Sequence, residues 1–590
     1  MKCNFNEIKY YHRKYKPKQN DNRIKVLGID SESYSTGVPF LFCISDGAII
    51  TPDSLFQTLF TRQYRGVKFV CFNLKYDEGS ILHLLPAEAL NEIRIHGKCE
   101  YNGMRFRSIP KKELVITNIQ TKQSVAFYDI AQFYGTSLNK AALYYLGKEK
   151  LDIETKTFTP EYVKKNWHTI VKYCIQDAKL TQELADYFID ILINEFGIYP
   201  QKLYSTGYIT GVHFSRVCDV IDVNRLYNGY RECLEYAYNS YAGGKFETYK
   251  RGFGTFYQYD INSAYPYEIA NLQDIRFADI LESKEYQPAA TYGFLKCILY
   301  VDNDYSPVPV KIDNVNRYPV GVFQKTITKN EYDYLIKRGD KIDIINAWWL
   351  FCDGKKPYQN EINRLFELKR KFKNTDKLRY MLVKILLNSF YGKFIQVTEK
   401  TRVDGKVFEA GYLFNPIYAS VITANVRLKL SQVCDKFPNN IIAVHTDSII
   451  TDIDIEKHGF ICDTDIGGWN KESDGAGVMV GSGVYQVGDK VHYRGYKSIN
   501  SLIDLILENR NHTEITIPQK LVLSWRLVVF RNAGSELINR FVDDDKILNL
   551  EFDSKREWVN GWNWNQKLTG SAPFIYTDEK IILEKVLTTV

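Results

Sequence analysis

The chain has 590 residues, 45% of them hydrophobic, with 43 Tyr and 33 Phe and a formal charge of +7. That length is too great for one ordinary core, and that apolar content excludes a disordered chain, so several folded domains are expected. The charge permits contact with a polyanion without demanding it; the 11 Cys are scattered with no C-x-x-C pair, which argues against zinc or a disulfide framework and suits a reducing cytoplasm; and no signal peptide or membrane span is legible.

Up to about residue 190 the pattern alternates strands and helices, as in an α/β domain. Ile24–Glu32 reads as a strand on which Asp30 and Glu32, two apart, point to one face. Val67–Asp77 reads as a second strand, ending in Asn73, Tyr76 and Asp77. Thr169–Thr181 reads as a helix with Tyr173 and Asp177 at i and i+4 on one face. Four carboxylates from three elements suit a pair of divalent metals, with Tyr173 placed to orient a water, which is the chemistry of phosphodiester hydrolysis. Taken singly, each acid is more often a solvated surface group. Phe127–Leu138, between the second and third elements, carries aromatics that either stack a frayed single strand or form a core strand and turn.

Ser240–Phe246 contains Gly243 and Gly244, which let a backbone approach something closely or simply make a turn. Phe256–Pro266 reads as a strand that ends on Asp260 and turns into a helix opened by Pro266. From about residue 272 to 356 the chain is a mixed strand and turn region without legible chemistry. Glu361–Phe394 reads as two helices. The first ends in the basic run Lys369-Arg370-Lys371-Phe372-Lys373, where Arg370 and Lys371, then Lys373, are candidates for a triphosphate clamp; such a run is otherwise a solvated face. The second carries Lys384, Asn388 and Tyr391 at i, i+4 and i+7, a cation, an amide and a ring on one face, with Gly392 ending the helix. Val403–Lys406 is a hairpin signal. Ile441–Ile450 is apolar on both sides of a polar centre, as in a buried hairpin with Asp447 at its turn. Asp260 and Asp447 are then suited to bridging two metals for in-line phosphoryl transfer.

Three of these stretches, in order, resemble the polymerase motifs of family B DNA polymerases: D-x-x-S-x-Y-P at Asp260–Pro266, K-x-x-x-N-S-x-Y-G at Lys384–Gly392, and the D-T-D-S hairpin at His445–Ser448. The acids of the first domain, with Asn73, Tyr76 and Tyr173, resemble the D-x-E, N-x-x-(F/Y)-D and Y-x-x-x-D motifs of proofreading 3′–5′ exonucleases. The resemblance covers most of the chain and runs most closely to the protein-primed branch of small phages, adenoviruses and linear plasmids. It implies an α/β and α+β multidomain protein, with an RNase H-like 3′–5′ exonuclease domain followed by a right-hand palm, fingers and thumb. The expected division is exonuclease 1–190, linker and first palm part 191–271, a first terminal-protein-type insertion 272–357, fingers 358–394, a short second insertion 395–415, second palm part 416–525 and thumb 526–590.

The resemblance further implies two Mg²⁺ per active site, with Mn²⁺ as a substitute, held by Asp260, Ile261 and Asp447 in one and by Asp30, Glu32, Asp77 and Asp177 in the other. It implies that Tyr265 packs under the incoming sugar and excludes a 2′-hydroxyl, and that Tyr241, Gly243 and Gly244 form the Y-x-G-G motif that touches template. Asn73 and Tyr76 are implied DNA contacts, as is Lys150 on the scissile phosphate, although Lys148 is equally near. Tyr485 matches the tyrosine of a K-x-Y motif that steadies the primer end. Two positions depart from the family. His445 stands where an acid is usual, as a weak metal ligand or a hydrogen-bonded neighbour. Gly483 stands where the K-x-Y lysine is usual, with Arg494 or Lys497 left to take its place. Lys555–Trp558 and Trp562–Trp564 face DNA or pack the core. The implied partners are template-primer DNA, dNTPs and a terminal protein, for a monomer in the host cytoplasm; the rival readings are a polymerase using ordinary or no primers and a weakened relative that only binds DNA.

Overall fold

The structure is a computed structural model in which residues 3–11, 21–153, 158–203, 205–402, 405–496, 499–565 and 567–578 are described. The turn expected at Val403 and Asp404, and Lys497, lie outside them.

The first sheet has eight strands, in the order Ile49–Ile50, Pro39–Ile44, Val26–Ser33, Lys68–Cys71, Ser124–Asp129, Glu113–Asn118, Met104–Ile109 and Lys98–Tyr101. Its three central strands are parallel and apolar enough to be covered on both faces. Helix Pro160–Phe196 covers one face. Thr159 caps it by accepting from the Tyr162 N–H, Pro160 opens it, and Gly197 ends it in a left-handed conformation. It lies close on Val26–Ser33 because Gly28 has no side chain: a Cβ there would stand 1.8 Å from the Ala178 carbonyl oxygen. The second strand is shorter than expected. It stops at Cys71, Asn73 adopts φ +78°, and helix Leu74–Leu82 begins, so Tyr76 and Asp77 sit on a first helical turn and not on a strand. Phe127 and Tyr128 are core residues of Ser124–Asp129, so the stacking role for that stretch is replaced by packing.

The second sheet is antiparallel. Lys250–Ile261 lies at its centre, between Ser448–Thr451 and Trp469–Gly481; Ile441–Thr446, Lys245–Thr248, Val484–Val487 and Lys490–Tyr493 extend it. Helix Pro416–Lys436 is buried along most of its length, including the polar Ser420, Thr423, Arg427 and Ser431. Between the halves of this sheet stands a four-stranded antiparallel sheet of Asp279–Glu282, Lys341–Phe351, Tyr292–Val301 and Gly321–Thr328, with helix Lys329–Arg338 started by a Thr328–Glu331 capping box. Helices Gln359–Phe372 and Lys377–Asn388 follow, paired antiparallel across a short break. The second ends at Asn388, not at Gly392, and Tyr391 belongs to a separate 3₁₀ turn, Tyr391–Lys393. The hairpin Val397–Arg402 with Gly405–Ala410 is joined by the N-terminal Ile8–Lys9 as a parallel third strand.

Near the C-terminus Glu514–Val522 pairs with Phe541–Asn549. This hairpin straddles the expected palm–thumb border at 525/526, because one strand lies on each side of it. The chain then returns to the palm, where Thr569–Ala572 pairs with Lys250–Ile261. One apolar cluster runs from Phe133 and Phe188 of the first domain to Tyr259 and Tyr418 of the palm, so the two halves share a core. No helix among the described residues is long and apolar enough to cross a membrane.

Gly28→Ala tests the close approach of helix and sheet. We expect a loss of about 1–3 kcal/mol, because the added methyl has only a carbonyl oxygen to push against. Thermal unfolding of the variant checks this, and an unchanged Tm counts against it.

Candidate active site

Two clusters of carboxylates are built at the ends of these elements. In the first domain Asp30 and Glu32 come from Val26–Ser33, Asp77 from the first turn of Leu74–Leu82, and Asp177 from the helix that crosses the sheet. Asp129 stays outside the cluster. Its Oδ1 accepts from the backbone N–H groups of Asn73 (3.1 Å) and Ala131 (2.9 Å), which fixes the strand-to-helix turn that carries Asn73, Tyr76 and Asp77. Ser31, between the two strand acids, donates to Asp77 Oδ1 at 2.7 Å. Ligand oxygens of Asp30 and Glu32 lie with the Cys174 sulfur within 4.8 Å of one another.

Burial and mutual repulsion push these acids up. Asp30 and Glu32 are raised well above the carboxylate range, and Asp77 to about 7, in each case by burial first. Asp177 is raised by burial and opposed by Lys150, whose ammonium pairs with Asp177 Oδ2 and lies 4.6 Å over the Tyr173 ring. The structure thus separates the two lysines, since Lys148 pairs with Glu183 at the surface. Asp177 Oδ1 is buried with no hydrogen-bond partner among the described residues. A buried anionic oxygen left open in a set of four carboxylates fits hard divalent cations.

In the palm, Lys250–Ile261 brings Asp260 to its end, and Asp447 sits at the turn between Ile441–Thr446 and Ser448–Thr451. Asp260 pairs in register with Ser448, and the Ile261 N–H donates to the Asp447 carbonyl at 2.8 Å, so the two acids are held side by side. Ser263 (φ +53°) and Thr446 (φ +63°) are left-handed beside them, as Asn73 is in the first domain. Strained residues at the acid-bearing turns of both clusters are a mark of functional sites. Asp260 is raised to about 7 by burial, then by Asp447 and Glu472, against the pull of Lys369 and Lys384. Asp447 is raised to about 6, again by burial first, with Glu472 adding to it. These acids fit the same cations.

Opposite the acids stand the two antiparallel helices. Lys384 and Asn388 are exposed on one face of the second. Tyr391, on the turn beyond it, stacks on Tyr265 with centroids 4.4 Å apart and planes 17° apart. The cation nearest Asp260 on the first helix is Lys369, which donates to Ser263 Oγ (2.8 Å) and Asn262 Oδ1 (3.3 Å). Burial, then the neighbouring Lys384, lowers it to about 8. Arg370 is turned outward onto Glu367 and Lys371 is exposed over Phe372, so Lys369, rather than those two, faces the acids. The helix period carried that signal: Ile362, Leu365 and Phe366, Lys369 and Phe372 follow one inward stripe.

Gly244 lets the linker run against the palm site. A Cβ there would stand 2.7 Å from the Tyr265 hydroxyl and 2.9 Å from Thr446 Cγ2, whereas Gly243 faces open space. Tyr241 is half-buried beside Tyr391. The sequence reading missed Arg427, which is fully buried and donates to the carbonyls of Ala242 (2.9 Å), Gly243 (2.9 Å) and Pro307 (3.1 Å) and to Glu331 (2.7 Å). It also missed Glu472, which no motif marks.

His445 is not the hydrogen-bonded neighbour expected. Both ring nitrogens lack hydrogen-bond partners among the described residues. The ring packs between Phe246 (4.8 Å) and Tyr485 (4.6 Å), and Tyr485 stacks in turn on His492 (4.3 Å). Burial, with help from His492 and Lys555, lowers His445 to about 3, so it is neutral. Tyr485 is buried in this stack and presents no open ring to a primer. Gly483 has φ +85°, and the Arg494 side chain lies over it, 3.1 Å from where a Cβ would be. Trp562 packs in the core near the C-terminal hairpin, and Lys555 donates to the Phe246 carbonyl at 2.6 Å.

An α/β domain with four clustered acids is thus followed by an antiparallel sheet with two acids facing a cationic pair of helices. Residues 146–407 match the family described as DNA polymerase type B, organellar and viral. A DNA polymerase of Acidianus bottle-shaped virus (isolate Italy/Pozzuoli) is 24% identical over 427 residues, covering 65% of this chain and 61% of the viral protein. The chain therefore spans about three-fifths of that relative's length. Phi29 DNA polymerase shares the fold at 15% identity and a TM-score of 0.60, over 90% of this chain and 100% of that one; its ternary complex with primer-template DNA and incoming nucleotides matches equally well, over 89% and 100%. The stretch 146–407 is thus similar to the type B DNA polymerases of the organellar and viral kind, and the fold of the chain is that of Phi29 DNA polymerase.

The raised acids set a pH dependence. Asp77, Asp260 and Asp447 rise from 3.8 to about 7, 7 and 6 in the folded protein. The unfolded chain loses these protons first, so the metal-free protein loses stability as pH climbs from about 4 to about 7. Divalent cations bind the ionised acids and oppose that loss. We expect Mg²⁺ to raise Tm more at about pH 8 than at about pH 6; an equal rise at both counts against the assignment.

Proposed function

We propose that the chain is a template-directed DNA polymerase with a 3′–5′ proofreading exonuclease, started by a priming protein on a viral or linear plasmid genome. The observation that carries this reading is that the strand end at Asp260 and the turn at Asp447 bring two acids together beside Lys369, Lys384 and the Tyr265–Tyr391 stack. Two Mg²⁺ ions, or Mn²⁺ in their place, held by Asp260, Ile261 and Asp447 in the palm and by Asp30, Glu32, Asp77 and Asp177 in the first domain, would lower the pKa of the attacking oxygen and neutralise charge on the leaving group.

The chain's own residues do the rest. Lys369 and Lys384 put positive charge where a triphosphate gathers negative charge, and Lys369 is oriented by Ser263 and Asn262. Tyr265, close-packed under Gly244 and stacked on Tyr391, makes a rigid floor for the incoming sugar and leaves no room for a 2′-hydroxyl. Asn388 shares the Lys384 face. Gly243, open on one side and pinned by Arg427 on the other, lies along the path of the template with Tyr241. Arg494 takes the room left by Gly483 and faces the primer phosphates. In the first domain Tyr173 orients the attacking water, Lys150 meets the scissile phosphate, and Asn73 and Tyr76 hold the frayed strand.

The proposed units follow the division 1–190, 191–271, 272–357, 358–394, 395–415 and 416 onward, except that the thumb takes in the whole hairpin Glu514–Asn549. The four-stranded sheet within 272–357 lies in the interval where protein-primed relatives carry their first insertion, which supports a terminal protein as partner. Primer-template DNA and dNTPs are the proposed substrates, acted on by a monomer in the host cytoplasm.

Primer extension on a primed single strand tests the reading. We expect extension with Mg²⁺ and dNTPs, loss of extension in Asp447→Ala with primer degradation retained, and the reverse in Asp77→Ala. Extension that survives Asp447→Ala sinks the palm assignment. Synthesis on ordinary primers that a priming protein does not stimulate would favour a conventional polymerase.

The clamp has its own test. We expect Lys369→Ala to raise the dNTP KM about tenfold or more and Arg370→Ala to change it by less than about twofold, because only the first removes a desolvated charge at the site. Equal effects would return the clamp to the outer run.

A further inference from the structure

The connection between the two strands of the C-terminal hairpin does not stay with the hairpin. It crosses to the first domain and embeds there. Leu523, Trp525, Val528 and Ile538 are buried in the same apolar cluster as Phe69, Leu74, Ile81 and Phe106. The helix it meets, Leu74–Leu82, is the one that carries Asp77. Lys75 Nζ donates to the Val522 carbonyl at 3.3 Å. Arg526 donates to Ser108 Oγ at 3.1 Å, and Ser108 in turn donates to Glu78. Gly79 and Gly37 make room: Cβ atoms there would stand 2.4 Å from Asn539 Oδ1 and 2.1 Å from the Ile538 carbonyl.

Asn539 is the polar centre of this contact. It is 3% exposed and left-handed, at φ +67°. Its backbone N–H donates to the Leu523 carbonyl at 2.8 Å, which closes the base of the connection. Its side-chain Nδ2 donates to the Tyr76 carbonyl (2.9 Å) and to Ser80 Oγ (3.1 Å). Ser80 Oγ lies 3.0 Å from Ser31 Oγ, and Ser31 donates to Asp77 Oδ1 at 2.7 Å. A chain of four side chains, Asn539, Ser80, Ser31 and Asp77, therefore runs from the thumb connection to an acid of the exonuclease cluster. The same amide holds the main chain of Tyr76, one residue before that acid.

We propose that Asn539 is a positioning residue for the exonuclease centre, so that the thumb connection sets the orientation of Asp77 and the cation affinity of the site. The inference rests on the exonuclease reading above. Glycine accepts the left-handed backbone at 539 without strain but carries no amide, so Asn539→Gly removes the pin and keeps the turn. Ser80→Ala breaks the relay from the other side and leaves the Asn539–Tyr76 bond in place.

The test measures degradation of a single-stranded oligonucleotide, primer extension and Tm for Asn539→Gly, Ser80→Ala and the double variant. We expect each single variant to lose about tenfold in exonuclease turnover and to need several-fold more Mg²⁺ for half-maximal rate, as for the loss of a group that orients a metal ligand. Extension should stay within about twofold, and the double variant should be no worse than the singles, because both break one relay. Unchanged exonuclease, or a parallel fall of exonuclease, extension and Tm, overturns the proposal.

Mn²⁺ binding, followed by electron paramagnetic resonance in an Asp260→Ala/Asp447→Ala background, keeps the two readings apart. Wild-type residues at 539 and 80 with no degradation, but with Mn²⁺ bound through Asp77 and weakened by Asn539→Gly, would sink the exonuclease activity and leave the positioning role standing. Mn²⁺ binding lost in Asp77→Ala but untouched by Asn539→Gly would sink the positioning role alone.

Discussion

Like charges held close in poorly solvated crevices are the constraint on which this structure turns. Two unit charges about 4 Å apart interact by about 4 kcal/mol at an effective dielectric constant of about 20, so a group of carboxylates cannot gather without a stiff frame. Here the frame is made of strand ends and tight turns. Asp30 and Glu32 share a strand face, Asp260 ends a strand beside the turn that carries Asp447, and left-handed Asn73, Ser263 and Thr446 turn the chain at the places where the acids must come in. Cations answer the charge from outside the sheets: Lys150 over Tyr173 in one cluster, Lys369 and Lys384 in the other. The mutual repulsion that makes each cluster costly alone is what makes it a strong seat for divalent ions.

The same logic explains Arg427. A fully buried arginine at the centre of a helix would be costly by itself. It is retained with four acceptors around it, three of them carbonyls that no secondary structure uses, and with Glu331 to balance its charge. Those acceptors belong to the linker, to the loop before Val308 and to the insertion helix. One side chain on the palm helix thus fixes the glycine linker beside the palm acids and ties the insertion to the palm. The linker's position beside Tyr265 and Thr446 follows from this tie and from the missing side chain of Gly244.

What could be read beforehand was local. Asp260, Asp447 and the helix face with Lys384 and Asn388 follow from strand and helix periods, and the order of the motifs names the fold. Three things were out of reach for physical reasons. Asn73 opens a helix because Asp129, 56 residues away, binds its N–H, and no window of sequence contains that bond. Arg427 and Glu472 act through partners on other elements. The hairpin connection packs on the first domain across more than 400 residues, as the Asn539–Tyr76 bond shows. Lys369 is legible in the helix period: in a run of four cations the apolar stripe, not the residue type, decides which one turns inward.

The departure at His445 is consistent with its surroundings. Its position pairs with Phe246 and stacks on Tyr485, so an ionised acid there would be wedged between two rings with burial against it. A neutral imidazole fits, and burial keeps it neutral at any working pH. Negative charge near Asp260 and Asp447 is supplied instead by Glu472 on the neighbouring strand, which acts on both and is steadied by Gln258 (2.8 Å) and Lys490 (3.1 Å). Gly483 belongs to the same rearrangement. Its left-handed turn lets Arg494 lie across it toward Phe246, beside the cation of Lys555. An acid and a lysine are lost from the family pattern together, and a glutamate and an arginine stand nearby in their place. The charge balance of the palm is therefore kept by different residues.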